Sequence, residues 1–323
     1  MKPGVSNIVE EATVYGEATI AASERLNLTF GGRLSHSKLS SKVIDPVLPD
    51  LIYFFDPQAG ESRKETEFLP SLALAYQWND DLTLFARYQE GFRPGGIAVR
   101  REFVQRYEAD QLQTIEGGAR YRGAEFEIEA SLSLTGWDNI QADLIDGFGF
   151  PTTTNVGDGK VLSFGMAGRW RPSPSLSLEG SFYLNDSSVT EQAQILRFVF
   201  PEADHSEFDR LPNIADAIGQ LGVTWNAPVG PDADLELTGF GRYVGKSVLG
   251  VGPLLGKLQG DYFDTGMEAV LTRGPLRYSL SLTNLLDSKG NRFALGSPFQ
   301  LHGAEQVTPL KPRSIRLGVE IEF

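Results

Sequence analysis

Apolar and polar residues alternate strictly along several stretches of the chain. From position 126 to 135 the sequence FEIEASLSLT places apolar side chains on one face of an extended strand and Glu, Ser and Thr on the other. The same period of two recurs in SLALAYQW (71–78), SLSLEGSFYLN (175–185) and the closing RSIRLGVEIEF (313–323). Helical spacing is nowhere comparably sustained. The pattern therefore predicts an all-β protein.

Two kinds of connection alternate between the predicted strands. Short polar turns follow Ala22, Trp78, Tyr121, Trp170, Trp225 and Arg273. Long links rich in Gly, Pro and Asp occupy roughly residues 40–64, 91–110, 138–159, 187–216, 245–260 and 287–311. The runs between them number about 13, each about 10 residues long. Because outer-membrane barrels combine short periplasmic turns with long extracellular loops, the alternation predicts a transmembrane antiparallel β-barrel whose long links are extracellular.

Aromatic residues support this membrane orientation. Trp78, Trp170 and Trp225 each end a predicted strand just before a short turn, and Phe323 ends the last strand. Side chains of this type form a girdle at the membrane interface in outer-membrane barrels. The alternative is that the tryptophans anchor the core of a soluble sandwich.

Composition excludes several functions. The chain has 29 Lys and Arg against 42 Asp and Glu, giving a net charge of −13, so nucleic acid is not expected as a partner. It has no Cys and three His, and no motif of a hydrolase, P-loop, zinc protease or calcium loop. No apolar run reaches the 18 residues of a membrane helix. We therefore expect no catalysis, no metal site and no cofactor.

Four segments together resemble a known family. They are FLPSLALAYQWNDDLTLFARYQEGFRPGG (68–96), TNVGDGKVLSFGMAGRWRPSPSLSLEGSFYLND (154–186), NLLD (284–287) and the closing RSIRLGVEIEF. In this order they resemble the C-terminal part of the β-barrel of TonB-dependent receptors. The resemblance implies an outer-membrane protein of a Gram-negative bacterium that takes up an iron–siderophore complex or another scarce nutrient.

The chain also departs from that family. Members carry a plug domain and an energy-coupling box before a barrel of about 22 strands, and here neither these nor an export signal is recognised. We therefore expect residues 1–323 to form one barrel domain, 13–14 strands of a larger receptor, without a plug. The alternative is that an additional strand near Val5–Glu10 makes the count even and allows a small closed barrel.

The link 91–110 is the best candidate for ligand contact. It carries arginines for bidentate bonds to an anionic ligand and aromatic residues for stacking. The candidates are Arg93, Arg100, Arg101, Arg106, Phe92 and Tyr107. The alternative is that the arginines pair with neighbouring loop acids or with lipopolysaccharide phosphates.

Further partners follow from the resemblance. They are outer-membrane lipid, lipopolysaccharide, the barrel-assembly machinery through the C-terminal strand, and TonB only through an N-terminal region that is missing here. A passive porin-like barrel remains the alternative function, and a soluble β-rich adhesin a third.

Overall fold

The computed structural model describes residues 4–44, 62–100, 103–145, 151–199, 208–292 and 307–322. In these residues one antiparallel sheet of 13 strands dominates, and its spatial order follows the chain. The strands are β1 (Gly4–Ala21), β2 (Leu26–Ile44), β3 (Ser62–Gln77), β4 (Leu82–Arg93), β7 (Asp110–Arg122), β8 (Phe126–Asp138), β11 (Gly157–Ser173), β12 (Leu176–Gln192), β13 (Ala217–Pro228), β14 (Ala233–Val244), β17 (Tyr262–Arg273), β18 (Leu276–Thr283) and β19 (Ser314–Ile321).

Small elements lie in the long links. They are the hairpins β5 (Gly96–Arg100) with β6 (Phe103–Tyr107), β9 (Gln141–Ile145) with β10 (Pro151–Asn155) and β15 (Ser247–Val248) with β16 (Leu258–Gln259), and the short helices α1 (Gln194–Val199) and α2 (Gly252–Leu255). No helix of the described ranges is long and apolar enough to cross a membrane.

The predicted alternation sets the register of the sheet. In the β8–β11 pair Leu132 lies opposite Phe164, and Ser133 lies opposite Ser163. Apolar side chains therefore collect on one face and small polar or charged side chains on the other, because side chains alternate across a strand. No described residue packs over the apolar face, where Leu132 is 54% exposed.

The strand count confirms the prediction of about 13, with two differences in detail. Val5–Glu10 belong to the first half of β1, so these residues add no fourteenth strand. Strands also extend into the predicted links, since β2 runs to Ile44 and β3 begins at Ser62.

The dry core of the described residues lies in the links and not in the sheet. We call it the loop core. It is a cluster of buried apolar side chains from the links after β8, β12 and β14. Its members are Ile140, Ala142, Leu144, Val156, Leu196, Phe208, Leu211 and Val251. The long links therefore pack on one another, as a folded domain does.

The polar face of the sheet carries ion pairs between neighbouring strands. Their shortest oxygen–nitrogen distances run from 2.6 to 2.9 Å. The pairs are Arg33–Glu11, Arg87–Glu116, Arg120–Glu129 and Arg169–Glu179. Each is partly exposed, so solvent screens it and it adds little stability by itself. A wet face lined with paired charges suits a barrel lumen.

Candidate functional site

A buried carboxylate lies at the base of the link 91–110. Asp110 begins β7, is fully buried, and lies opposite Arg93 at the end of β4. The Arg93 guanidinium donates two hydrogen bonds to it, at 2.5 and 3.3 Å. The Trp137 indole donates a third at 3.1 Å. Asp110 is thus a charged centre whose oxygens are satisfied by β4 and β8, which fixes the stem of the β5–β6 hairpin.

Two amide side chains tie this stem to the β9–β10 hairpin. The Gln141 side-chain amide donates to the carbonyl oxygens of Pro94 and Glu108, both at 3.0 Å. Asn155 accepts from the Glu108 N–H at 2.6 Å and donates to the Glu108 carbonyl at 3.0 Å. The two hairpins are therefore connected to each other through these hydrogen bonds.

Two glycines allow the hairpin stem to close. A Cβ at Gly95 would lie 2.5 Å from the Tyr107 carbonyl oxygen, and one at Gly96 would lie 2.1 Å from the Tyr107 hydroxyl. A side chain at position 95 would clash with the backbone of residues 107–109, whereas at position 96 the Tyr107 ring would have to move. Burial in this stem raises the pKa of the Tyr107 phenol, with the negative charge of Asp143 acting in the same direction.

An ion pair joins the stem to β3. Arg63 binds the Glu108 carboxylate and also the Glu65 carboxylate, the latter at 2.6 Å. The hydrogen bond from Arg63 lowers the pKa of the Glu108 carboxyl group, and the nearby charges of Arg63 and Arg106 lower it further. Glu108 is therefore held in its ionised form.

The structure brings together most of the predicted ligand residues. Phe92, Arg106 and Tyr107 are half-buried around the hairpin stem. Arg93 keeps 54% of its side chain exposed, but its guanidinium binds Asp110, which is the loop-acid pairing considered as the alternative. Arg100 ends β5, and Arg101 lies outside the described residues.

The residues of the predicted girdle lie near the short turns. Trp78 follows the end of β3, and Trp170 and Trp225 lie three residues before the ends of β11 and β13. All three are exposed, and Trp170 lies opposite Phe126 and Leu178 on the apolar face. Phe323 lies outside the described residues.

Several site residues were not predicted from the sequence. Asp110, Gln141 and Asn155 fix the hairpins, but their partners come from other links and strands. Trp137 offered one signal, since it is the tryptophan that does not precede a short turn. Within the described ranges, no group of three or more His, Asp or Glu side chains is arranged to hold a metal ion.

A broad antiparallel sheet with an uncovered apolar face, an ion-paired polar face and folded long links defines a membrane β-barrel protein. The sequence matches the family described as TonB dependent receptor-like, beta-barrel, over residues 4–278. The chain belongs to this family, which consists of transport receptors and not enzymes. Its members are outer-membrane proteins of Gram-negative bacteria, and a porin-like function is not favoured.

Curated relatives include the pesticin receptors of Yersinia. The chain is 24% identical over 190 residues to the receptor of Yersinia enterocolitica and 23% identical to that of Yersinia pestis. Each match covers 58% of this chain and 27% of the relative. The match thus spans about a quarter of each receptor's length.

Solved structures share the fold. The ferric yersiniabactin uptake receptor FyuA of Yersinia pestis superposes with a TM-score of 0.77 at 17% identity, covering 99% of this chain and 47% of FyuA. The siderophore receptor PiuA of Acinetobacter baumannii gives 0.72 at 16% identity, covering 98% of this chain and 44% of PiuA. The described sheet thus shares the fold of these two receptors.

Proposed function

We propose that the protein works in the outer membrane as a TonB-dependent receptor for an iron–siderophore complex. Its 13 strands would form part of the 22-stranded wall expected from the resemblance. The observation that carries the proposal is the family match together with the names of its structural neighbours, a ferric yersiniabactin receptor and a siderophore receptor. These names describe the neighbours, and the cargo of this chain is our inference.

The β5–β6 hairpin is the proposed ligand contact. Arg106 and Tyr107 lie on it, Arg100 ends β5, and Phe92 lies near the end of β4, before the hairpin. Arg101, outside the described residues, stays a candidate by residue type. Guanidinium groups match the anionic oxygens of a ferric chelate, and the aromatic rings give stacking area. Arg93 has a second role, because its bond to Asp110 fixes the stem while half of its side chain stays exposed.

Lysines on the outward face support lipopolysaccharide as a further partner. Lys38 of β2 lies opposite Lys64 of β3, four residues beyond the apolar pair Leu34 and Phe68. At about 3.3 Å per residue, the lysines lie roughly 13 Å further along their strands. This distance from the apolar pair suits lysines that reach the phosphate groups of the outer leaflet. Lys38 also binds Glu10 at 3.2 Å.

The remaining partners are proposed from the family. TonB would act through an N-terminal region outside this chain. The barrel-assembly machinery would act on β19 and Phe323. Trp78, Trp170 and Trp225 would lie at the periplasmic membrane interface.

The test is uptake by the complete gene product. A host lacking its own siderophore receptors is given the gene, and radiolabelled iron uptake is measured with a panel of chelates that includes ferric yersiniabactin, with and without TonB. We expect TonB-dependent uptake of at least one chelate, reduced by Arg106→Ala with little change from Arg87→Ala on the lumen wall. Uptake that is absent for all chelates, or equal without TonB, would contradict the proposal.

A further inference from the structure

The ladder between β3 and β4 stops halfway along β3. Its last pair is Ser71 with Gln89, whereas the ladder between β2 and β3 continues for nine more residues to Ser62. The next residue of β3 is Pro70. Proline has no N–H to donate. The ladder to β4 therefore ends next to Pro70, which cannot donate a further hydrogen bond to it.

Side chains take over where the ladder stops. Continuing the register of Ser71 with Gln89 would place Glu65 opposite Gly95. No backbone pairing forms there. Instead the Glu65 carboxylate accepts a hydrogen bond from the Gly95 N–H at 3.3 Å.

Two further contacts cross the same gap. Arg63 binds Glu108, and the Gln111 side-chain amide donates to Glu67 at 3.3 Å. Three alternate residues of β3 therefore reach the stem of the β5–β6 hairpin and the start of β7. Residues two apart share a face of a strand, so all three point the same way.

We propose that Arg63, Glu65 and Glu67 form a clasp that holds the β5–β6 hairpin against β3. They are positioning residues for the candidate ligand site, because they touch the stem that carries Arg106 and Tyr107 and are not themselves assigned to the ligand. The clasp opens by breaking side-chain contacts alone, and every strand of the sheet keeps its ladder. The ligand part of this inference rests on the proposed function, whereas the clasp itself does not.

The clasp should open more readily than a backbone ladder. The Arg63–Glu108 pair is partly exposed and therefore weak by itself, whereas a backbone ladder opens cooperatively. Gly95 contacts both the clasp and the hairpin stem, since its N–H donates to Glu65 and a Cβ there would lie 2.5 Å from the Tyr107 carbonyl oxygen. Release of Glu65 therefore removes the partner of the Gly95 N–H, while Gln141 still holds the Pro94 carbonyl oxygen.

Hydrogen exchange followed by mass spectrometry tests the clasp in the complete receptor in detergent, without ligand. The Glu65→Gln/Glu108→Gln double variant should accelerate exchange in peptides covering 96–107 by about fivefold. Glu116→Gln is the matched control, because it removes a comparable ion pair with Arg87 from a continuous ladder. It should leave these peptides unchanged. Peptides from 126–138 report that the sheet is folded in each variant.

The Arg63→Gln variant removes the β3 partner of Glu108 and Glu65, and it should also accelerate exchange in 96–107. Acceleration below twofold in both the double variant and Arg63→Gln, or equal acceleration by Glu116→Gln, would overturn the clasp. Because no ligand is present, this result is independent of iron uptake. If ferric yersiniabactin is transported, the double variant should raise the KM of uptake severalfold with little change in the maximal rate. An unchanged KM would show that the clasp does not position the candidate ligand site.

Discussion

Glycines in the sheet occupy two different environments. A Cβ at Gly118 would lie 2.4 Å from the Ala130 carbonyl oxygen and 2.6 Å from the Phe85 ring. The Phe85 ring covers the glycine on the polar face of the sheet, and the Arg120 guanidinium lies 5.4 Å from the centre of that ring. At Gly136 a Cβ would meet nothing within 4 Å. The first glycine is therefore a packing requirement, and the second is not.

Gly118→Ala should impair folding, and Gly136→Ala should not. The backbone oxygen of Ala130 cannot move as a side chain can, so we expect a cost of about 1–3 kcal/mol at position 118. The folded fraction is measured after refolding in detergent, from the mobility difference between heated and unheated samples on a gel. Equal folded fractions for the two variants would show that the strands at Gly118 can separate freely.

The clasp should respond to acid through Glu108. Its pKa is lowered in the folded protein, so the stabilising contact with Arg63 is complete above the ordinary glutamate pKa of about 4.3 and is lost as pH falls through the lower folded value. The charges facing it are Arg63 and Arg106, with Glu65 on the other side of Arg63.

We expect the exchange rate of 96–107, corrected for its intrinsic pH dependence, to stay constant from pH 7 to about 5 and to rise below about pH 4. Glu108→Gln should show faster exchange at pH 7 and a smaller rise in acid. A rise of the same size in Glu108→Gln would mean that another group titrates.

At the scale of elements, the loop core should unfold separately from the sheet. Leu211 is 1% exposed among side chains of three links, and Leu286, in a different link, is 63% exposed. Leu211→Ala should cost about 2–5 kcal/mol, and Leu286→Ala much less. Limited proteolysis of the folded protein should therefore cut Leu211→Ala faster in the links after β8 and β12, while the sheet keeps its gel mobility. Loss of the folded band in Leu211→Ala would instead show that loop core and sheet fold as one unit.

The register of β8 can be tested with one charge at two neighbouring positions. Leu132→Arg would place a guanidinium on the lipid face, at about 2–4 kcal/mol near the bilayer midplane. Ser133→Arg would place it on the lumen face, opposite Glu116. We expect Leu132→Arg to insert into lipid vesicles much more poorly. Equal folding yields would contradict the assignment of the two faces.

The elements were predictable from the sequence to different degrees. The strands β8, β12 and β19 were predictable because each has one apolar and one polar face, which produces a period of two. The hairpin β9–β10 was not, since four of the five residues of β9 are buried and PTTTN of β10 has no apolar alternation. The clasp left one local signal, Pro70 within a strand pattern, which limits pairing to one side.

The site was less predictable than the fold because its contacts are non-local. The arginines and aromatics of the link 91–110 could be identified by residue type. The pairing of Arg93 with Asp110 depends on the β4–β7 register, and the link of Glu108 to Asn155 joins two separate hairpins. Residue type thus indicated the chemistry, and only the fold shows which charges are already paired.

At the scale of the whole molecule, the medium around the sheet determines its stability. Among the residues that the structure describes, none covers the apolar face, and the buried clusters lie in the links. In water this face would stay hydrated in the folded sheet, so folding would lose its main driving force, the removal of apolar surface from water. In hydrocarbon the face is not hydrated, and the cost disappears. A sheet of this kind is expected to be stable only in a membrane or in detergent.

The complete gene product should accordingly fractionate with the outer membrane. After cell lysis and density-gradient separation, we expect it in the dense outer-membrane band, resistant to salt and carbonate washing and released by detergent. Leu132→Arg should shift part of the protein to degraded or aggregated material, and Ser133→Arg should stay in the membrane band. Recovery of the unmodified protein in the soluble fraction would mean that its apolar face is covered by protein, as in the sandwich alternative, and would contradict both the lipid-facing assignment and the receptor function built on it.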